Sequence, residues 1–340
     1  AIKGMGRSIN PLSDYGAYRE MKSLIKSFRP DIVHTHAAKP GAIGRMAASA
    51  AGVPVILHTF HGHVFHSYFN SAKTKFFIQT ERFLASRSDA IIAISEQQRK
   101  ELVEDFKIAP PEKFRVVPLG FDLDRFRNDQ EEKRDRFRRS FNVEDDVIAI
   151  GIIGRLVPIK NHYLFLKAIA HVLGNTQKKI RAFIVGDGET RADLEAMATQ
   201  AGISFTTEKD NRHPHPLVFT SWRSDIDVIN AGLDIICLTS FNEGTPVSLI
   251  EAQAANKPIV STRVGGIADI LAEGETGLLA DINDTELFCD HLLSLVEDDA
   301  LRHQLGSNSS SHVMEKFSYQ RLVRDMSTLY KELLEKKVRS

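Results

Sequence analysis

The sequence predicts an α/β protein made of two doubly wound parallel sheets in series. Three observations predict it. Short apolar segments alternate with segments of helical period along most of the chain, the pattern of parallel strands joined by helical crossovers. The alternation breaks once, at residues 121–145, where charge is dense and no strand is evident. And 340 residues are more than one ordinary core accommodates.

In the first series, "YGAYREMKSLIKSF" sets Tyr18, Met21, Leu24, Ile25 and Phe28 at helical spacing, and Pro30 stops that helix. "DIVHTH" reads as a buried strand, and "AIGRMAASAAG" as a small-residue helix ending at Gly52. "PVILHTF" is a strand, residues 74–86 a Phe-rich helix, "AIIAIS" a strand, "EQQRKELVEDF" a helix and "FRVVPLG" a strand. The second series has strands at "VIAIGIIG", "IRAFIVG", "PLVFTS", "LDIICLTS", "PIVST" and "TGLLA". Helices fall between them at "NHYLFLKAIAHVL", "TRADLEAMATQAG", "DIDVINAG", "PVSLIEAQAAN" and "GIADIL", and another starts at Thr285. The expected divisions are a first domain at 1–141, a second at 142–317 and a terminal helix at 318–340. That helix carries Leu322, Met326, Leu329 and Leu333 on one face. It either covers the second domain or packs back onto the first.

Hydrophobic residues at 42% and charged ones at 26% are those of a soluble globular protein. Apolar runs such as "AIIAI" are too short to span a bilayer, and no secretory signal opens the chain. Cys237 and Cys289 sit in apolar surroundings without a CxxC, which favours a reduced cytoplasmic compartment. The net charge is zero but uneven: residues 1–141 hold 24 Lys and Arg against 16 Asp and Glu, and the remainder 20 against 28. Such asymmetry is either a solvated surface or the mark of an anionic partner, lipid headgroups or nucleic acid.

Ligands of open α/β sheets bind beyond the carboxyl ends of strands. Three loops of the second series carry charge there. "RLVPIKN" offers Arg155 and Lys160 ahead of a helix, an arrangement suited to a diphosphate, although such a loop is also ordinary surface. "GDGETR" has a GxG beginning at Gly186 but no third Gly, so a dinucleotide fingerprint is poorly supported. Its glycines allow close approach of a ligand or of backbone. No GxxxxGK[ST] occurs, which excludes a Walker-type phosphate loop. In "SFNEGTPVSLIEAQA", Glu243 lies in the loop and Glu251 inside the helix expected to begin at Pro246. Backbone N–H groups near Gly244, Thr245, Val247 and Ser248 can hold an anion between the two acids, each of which can accept hydrogen bonds from flanking hydroxyls. A sugar nucleotide has that chemistry. The bland alternative is one Glu on the helix dipole and one in solvent.

In the first series, "HTFHGHVFH" concentrates His58, His61, His63 and His66, and "VHTHAAKPG" adds His34, His36 and Lys39. No HExxH accompanies them and His58 lies on a buried-type strand, which disfavours zinc. His61, just past a strand's end, suits hydrogen bonding to a bound substrate. His34 reads as a satisfied core histidine.

Taken together these segments resemble a family 4 retaining glycosyltransferase of the GT-B fold, over essentially all 340 residues. "FNEGTPVSLIEAQAANKPIVSTRVGGIADIL" is similar to the family's donor segment, its Glu-x7-Glu falling on Glu243 and Glu251. "IGRLVPIKN" resembles the loop that brings Gly154, Arg155 and Lys160 to the donor diphosphate. "HTFHGH" resembles the first-domain His-Gly loop, with His61 at the active-site histidine, and "VVPLGFDLDRF" the segment before the interdomain linker.

The resemblance implies two Rossmann-like domains with the active site in their cleft. It implies transfer from a nucleotide sugar, UDP-linked by preference, to a hydroxyl of a glycan or lipid-linked acceptor, with retention and without metal or cofactor. His61, Arg155, Lys160 and Glu243 would be catalytic. Gly186, Thr220, Arg223, Gly244, Thr245, Pro246, Val247 and Glu251 would line the donor site, Glu251 at the ribose and Thr220 to Arg223 at the base. His36, Lys39 and His63 would face the acceptor. Expected partners are the donor, the acceptor and an anionic membrane surface on the cytoplasmic side, with no nucleic acid. A nucleotide-sugar epimerase, or a donor-binding chain without turnover, are the alternatives. Two departures stand out. The family's opening strand, Gly-rich loop and helix have no counterpart before "AIKGMGRSINPLSD", so the first domain reads as truncated. Ser221 and Asn256 occupy positions where many relatives carry Gly.

Overall fold

Apolar strands buried on both faces require a layer of helices on each side, and both sheets of the chain are built that way. The computed structural model describes residues 2, 5, 10–62, 71–207 and 215–339. These fall into two units, one of residues 1–120 with 319–340, the other of residues 121–318. The structure bears out the α/β class, two domains built on parallel sheets.

The first unit runs α1 (Pro11–Phe28), β1 (Ile32–His36), α2 (Ala38–Ala51), β2 (Val55–Phe60), α3 (Ser71–Ser86), β3 (Ala90–Ala93), α4 (Glu96–Lys100) and β4 (Phe114–Val116). Its described strands form a parallel sheet in the order β1-β2-β3-β4. Alternate residues point to opposite faces. Ile56 packs with Ile25, Ala47 and Ala48 of α1 and α2, and Phe60, Ile91 and Phe114 pack with Ala85 and Leu102. Val55, Leu57, Ala90 and Ile92 face the other way.

The second unit begins with α5 (Asp124–Arg127) and α6 (Gln130–Phe141). It continues through β5 (Ile148–Ile153), α7 (His162–Asn175), β6 (Ile180–Val185), α8 (Arg191–Gln200), β7 (Phe205–Thr207), β8 (Leu217–Ser221), α9 (Ile226–Gly232) and β9 (Ile235–Leu238). Then follow α10 (Val247–Ala254), β10 (Ile259–Thr262), β11 (Gly277–Ala280), α11 (Thr285–Glu297), α12 (Asp299–Ser307) and α13 (Ser309–Phe317). Its parallel strands lie in the order β11-β10-β9-β5-β6-β8-β7.

Residues 121–141, expected with the first domain, belong instead to the second unit. The reason is a pair of phenylalanines hidden in a charge-dense segment. Phe137 and Phe141 stand one turn apart on α6, with ring centroids 5.1 and 5.3 Å from Phe183 of β6. A Cβ on Gly232 of α9 would come within 2.2 Å of the Phe137 ring, so α6 and α9 meet closely because that residue is Gly. With these boundaries the first unit holds 23 Lys and Arg against 13 Asp and Glu, and the second 21 against 31.

The final helix, α14 (Tyr319–Arg339), belongs to the first unit. Leu329 and Leu333 pack on Val55, Leu57, Ala90 and Ile92, with Leu322 and Met326 at the margin. Arg321 donates to the carbonyls of Pro118 and Leu119 at 2.7 and 2.6 Å. The Tyr330 hydroxyl lies 2.7 Å from His34 Nδ1, whose Nε2 lies 2.7 Å from Thr59 Oγ1. His34 is therefore a satisfied core histidine, and burial with the nearby imidazoles of His36 and His61 pushes its pKa down to about 4. Tyr330→Phe removes one of its two partners and is expected to cost about 1 kcal/mol of stability, read as a lower unfolding temperature.

Two local differences have clear causes. β7 is a three-residue edge strand, too short to leave a period in the sequence. The segment expected as a helix at "GIADIL" opens instead with a 3-10 turn at Gly265–Ile267, where Gly265 and Gly266 press against the loop after β9.

Candidate active site

From β5 the chain moves outward to β6 and β8, then returns to β9 on the other side of β5 and moves out to β10 and β11. β5 and β9 thus flank the switch point, the position beyond which open α/β sheets bind ligands. Their exit loops are laced together. Phe241 N donates to Ile159 O at 2.8 Å, and Thr239 Oγ1 to Lys160 O at 3.0 Å. Lys160 Nζ lies 2.5 Å from Glu243 Oε1, and Ser240 Oγ donates to the same oxygen at 2.5 Å. Glu243 keeps 10% of its side-chain exposure and Lys160 26%. Their charge-assisted bond is partly shielded from water.

The turn after β10 supports this loop from behind. Gly266 N donates to Glu243 O at 3.2 Å. Gly265 has φ 51, and a Cβ there would stand 1.8 Å from Glu243 O; one on Gly266 would stand 2.1 Å from Gly244 O. No side chain fits at either position.

Pro246 caps α10 with φ −72 and ψ 101, so the helix starts one residue later than expected, at Val247. No side chain caps that end. The N–H groups of its first turn, beside Gly244 and Thr245, can therefore receive an anion. One turn on, Glu251 lies 3.7 Å from Arg125 Nη2 of α5. Burial raises its pKa to about 7; Arg125 opposes the rise and Asp227 adds to it.

The loop after β6 packs on the loop after β5. Gly154 N donates to Val185 O at 2.9 Å, Leu156 N to Asp187 O at 3.0 Å and Thr190 N to Leu156 O at 3.1 Å. A Cβ on Gly186 would meet Gly154 O at 1.9 Å, and one on Gly188 would meet Leu156 O at 2.3 Å. These glycines serve backbone approach. Arg155, by contrast, is exposed and makes no ion pair among the described residues. At the end of β8, Thr220 is buried and donates to Ser221 O at 3.1 Å. Arg223 is held by Asp225 through two bonds of 2.8 and 2.6 Å, which lower the Asp225 pKa. Ser221 and Asn256 have φ of 58 and 56, the left-handed backbone that glycine adopts freely.

In the first unit, His36 Nδ1 and His61 Nε2 lie 2.9 Å apart at the carboxyl ends of β1 and β2. Loss of solvation lowers both pKa values, most directly for His61, while His36 also feels the His61 charge. At neutral pH both rings are therefore uncharged, and one donates to the other. His58 is buried against Thr35, and its pKa falls to about 2 through burial first and neighbouring cations second. Lys39, in the first turn of α2, pairs with Asp14 of α1. His63 lies outside the described residues.

Residues 133–312 match the model of the family described as glycosyl transferases group 1, and residues 5–125 that of glycosyltransferase family 4. The chain belongs to this glycosyltransferase family. It is 28% identical, over 96% of its length and 82% of the relative's, to the UDP-Gal:alpha-D-GlcNAc-diphosphoundecaprenol alpha-1,3-galactosyltransferase of Escherichia coli. It is 30% identical, over 89% and 72% of the two chains, to the D-inositol 3-phosphate glycosyltransferase of Corynebacterium jeikeium. Among solved structures, Anabaena HepE in complex with UDP superposes with a TM-score of 0.80 at 18% identity, covering 93% of this chain and 82% of that one. A glycosyltransferase from Rickettsia africae gives 0.78 at 22%, covering 97% and 83%. The fold is GT-B.

In this glycosyltransferase the structure joins Lys160 to Glu243 and puts Glu251 a turn inside α10. It leaves Arg155 at the surface without an ion pair among the described residues and gives Lys39 a partner in Asp14. Sequence reasoning missed Ser240 and Arg125 as partners of the two acids. A serine three residues before Glu243 was the available signal for the first. Arg125 had none, since it sits in a segment assigned elsewhere.

Proposed function

We propose that the chain moves a sugar from a UDP-linked donor to a hydroxyl of a glycan or lipid-linked acceptor, with retention of configuration and without a metal. One observation carries this reading: Lys160, Glu243 and Ser240 meet within hydrogen-bond distance at the switch point, beside an uncapped helix N-terminus. Arg155, Lys160 and the α10 terminus bind the diphosphate and stabilise the charge that develops on it as it leaves. Glu243 accepts from the donor sugar's hydroxyls and Glu251 from the ribose. His61 and His36, uncharged at neutral pH, offer hydrogen bonds to substrate hydroxyls. In the transfer step the anomeric carbon's bond to phosphate oxygen breaks. The acceptor oxygen bonds to that carbon on the same face, and its proton passes to a phosphate oxygen. No protein nucleophile is required.

Two relatives support the donor and acceptor classes: the Escherichia coli enzyme, named for UDP-Gal and a GlcNAc-diphosphoundecaprenol, and the capsular polysaccharide biosynthesis glycosyltransferase CapM of Staphylococcus aureus, 24% identical over 97% of this chain and 84% of that one. No helix among the described residues is long and apolar enough to cross a membrane. The positive balance of the first unit, and an α3 that exposes Phe76 and Phe83 with Arg87 4.4 Å from the Phe83 ring, fit attachment to an anionic surface from the cytoplasmic side. Salt-insensitive failure to cosediment with anionic vesicles overturns that part.

Thermal unfolding with UDP, GDP and ADP in parallel tests the donor. A nucleotide at about a hundred times its Kd adds roughly 2.7 kcal/mol of stability. A shift with UDP alone is expected. No shift with any of the three overturns the reading, and activity lost on chelation overturns its metal-independent part.

A further inference from the structure

One side-chain contact joins the loops after β6 and β8. Arg191, the first residue of α8, donates from Nη1 to Ser221 Oγ at 2.6 Å. Its Nε donates to Glu195 Oε1 at 2.8 Å, its Nη1 lies 3.5 Å from Asp187 Oδ2, and its guanidinium lies 5.5 Å from the Phe219 ring centroid. The guanidinium is thus held from its own helix by Glu195, from the preceding loop by Asp187 and from β8 by Phe219. Ser221 has φ 58, and its carbonyl accepts from Gly186 N at 3.0 Å. Directly after it comes Trp222, the chain's one tryptophan, 63% exposed.

A serine in left-handed backbone is strained where glycine is not. The hydroxyl's bond to Arg191 offsets that strain and sets the direction in which the chain leaves β8. It thereby places Trp222 and Arg223 at the carboxyl edge of the sheet, the same edge as Lys160 and Glu243. We propose that Arg191 and Ser221 form a positioning pair for the nucleobase end of the donor, an inference that rests on the donor reading above. Neither residue need touch the nucleotide. Their role is to hold residues 221–225 in one arrangement before it arrives.

A positioning pair makes stability and binding move apart. Ser221→Gly relieves the backbone strain but removes the hydroxyl. It is expected to unfold at the same or a higher temperature than the wild type while binding UDP roughly three- to tenfold more weakly. Donor KM rises by the same factor, with kcat within about twofold, because Lys160 and Glu243 are untouched. Arg191→Lys keeps the charge but lacks the fork, and shows the same weakening.

The test titrates UDP, GDP and ADP by calorimetry against the wild type and both variants, with an unfolding curve for each. Wild-type-like affinity in Ser221→Gly overturns the pair. So does a loss of affinity that only follows a fall in unfolding temperature, since the contact is then structural. If the wild type binds none of the three nucleotides, the donor reading falls and takes this inference with it. The wild-type titration separates that outcome from the others.

Discussion

Lys160→Ala lowers kcat for sugar transfer by roughly 10²- to 10³-fold, the usual loss when one donor to a developing anion is removed from a preorganised site. The variant is informative because Lys160 has two tasks. On the proposed donor reading its ammonium is a cation for the diphosphate; in the structure it neutralises Glu243 at 2.5 Å in a setting where that acid is only 10% exposed. Removing it leaves Glu243 with Ser240 as its remaining side-chain partner among the described residues. A stability loss of about 2 kcal/mol is therefore expected as well, below the range for a fully buried pair. Glu243→Gln separates the tasks: it removes the stranded charge but keeps the lysine for the phosphate. Steady-state rates and unfolding curves for both variants check this. Activity in Lys160→Ala within a few-fold of wild type sinks the assignment.

Glu251→Gln produces the second large effect, and its sign depends on pH. The folded carboxyl has a pKa of about 7 against an ordinary 4.5, because burial outweighs Arg125. Below pH 4.5 both folded and unfolded states hold the proton, and the burial costs nothing extra. As pH rises toward 7 the unfolded chain releases the proton first, so wild-type stability falls through this window and levels off above it. The full difference is about 3 kcal/mol. Glu251→Gln has no proton to lose, so it lacks this fall and is more stable than wild type above pH 7 by a similar amount. Donor binding moves the other way. On the proposed reading Glu251 accepts from two ribose hydroxyls, so Glu251→Gln is expected to lose roughly 100-fold in UDP affinity and Glu251→Ala nearly to abolish transfer. Wild-type UDP affinity is expected to rise with pH up to about 7. Unfolding free energies from pH 4 to 8, with UDP titrations at each pH, check both halves. A pH-independent difference between the two proteins overturns the burial argument.

The alternation of strands and helices was legible because it is local. Each apolar run needs only its own residues to declare itself, and Gly52 and Pro30 punctuate their helices through their own backbone preferences. The spacing of Glu243 and Glu251 was legible for the same reason, since one loop and one helix hold both. The family, too, was readable from short motifs. What tertiary structure decided were pairings between distant residues. Lys160 and Glu243 are 83 positions apart and meet because β9 returns to lie beside β5. Nothing within either loop encodes that order of strands. Residues 121–141 pack on the second unit through Phe137 and Phe141, whose spacing was masked by the charges around them. The place of α14 was open on periodicity, because an apolar stripe states that it must be covered and not by what. Its Tyr330, Arg321 and Lys337 find polar partners in His34, the carbonyls of Pro118 and Leu119, and Asp89 of the first unit. The backbone at Ser221 was flagged by an unusual residue, yet its partner Arg191 is a strand away and 30 positions earlier. Local chemistry writes the elements into the sequence; which elements become neighbours follows from the packing of the whole core.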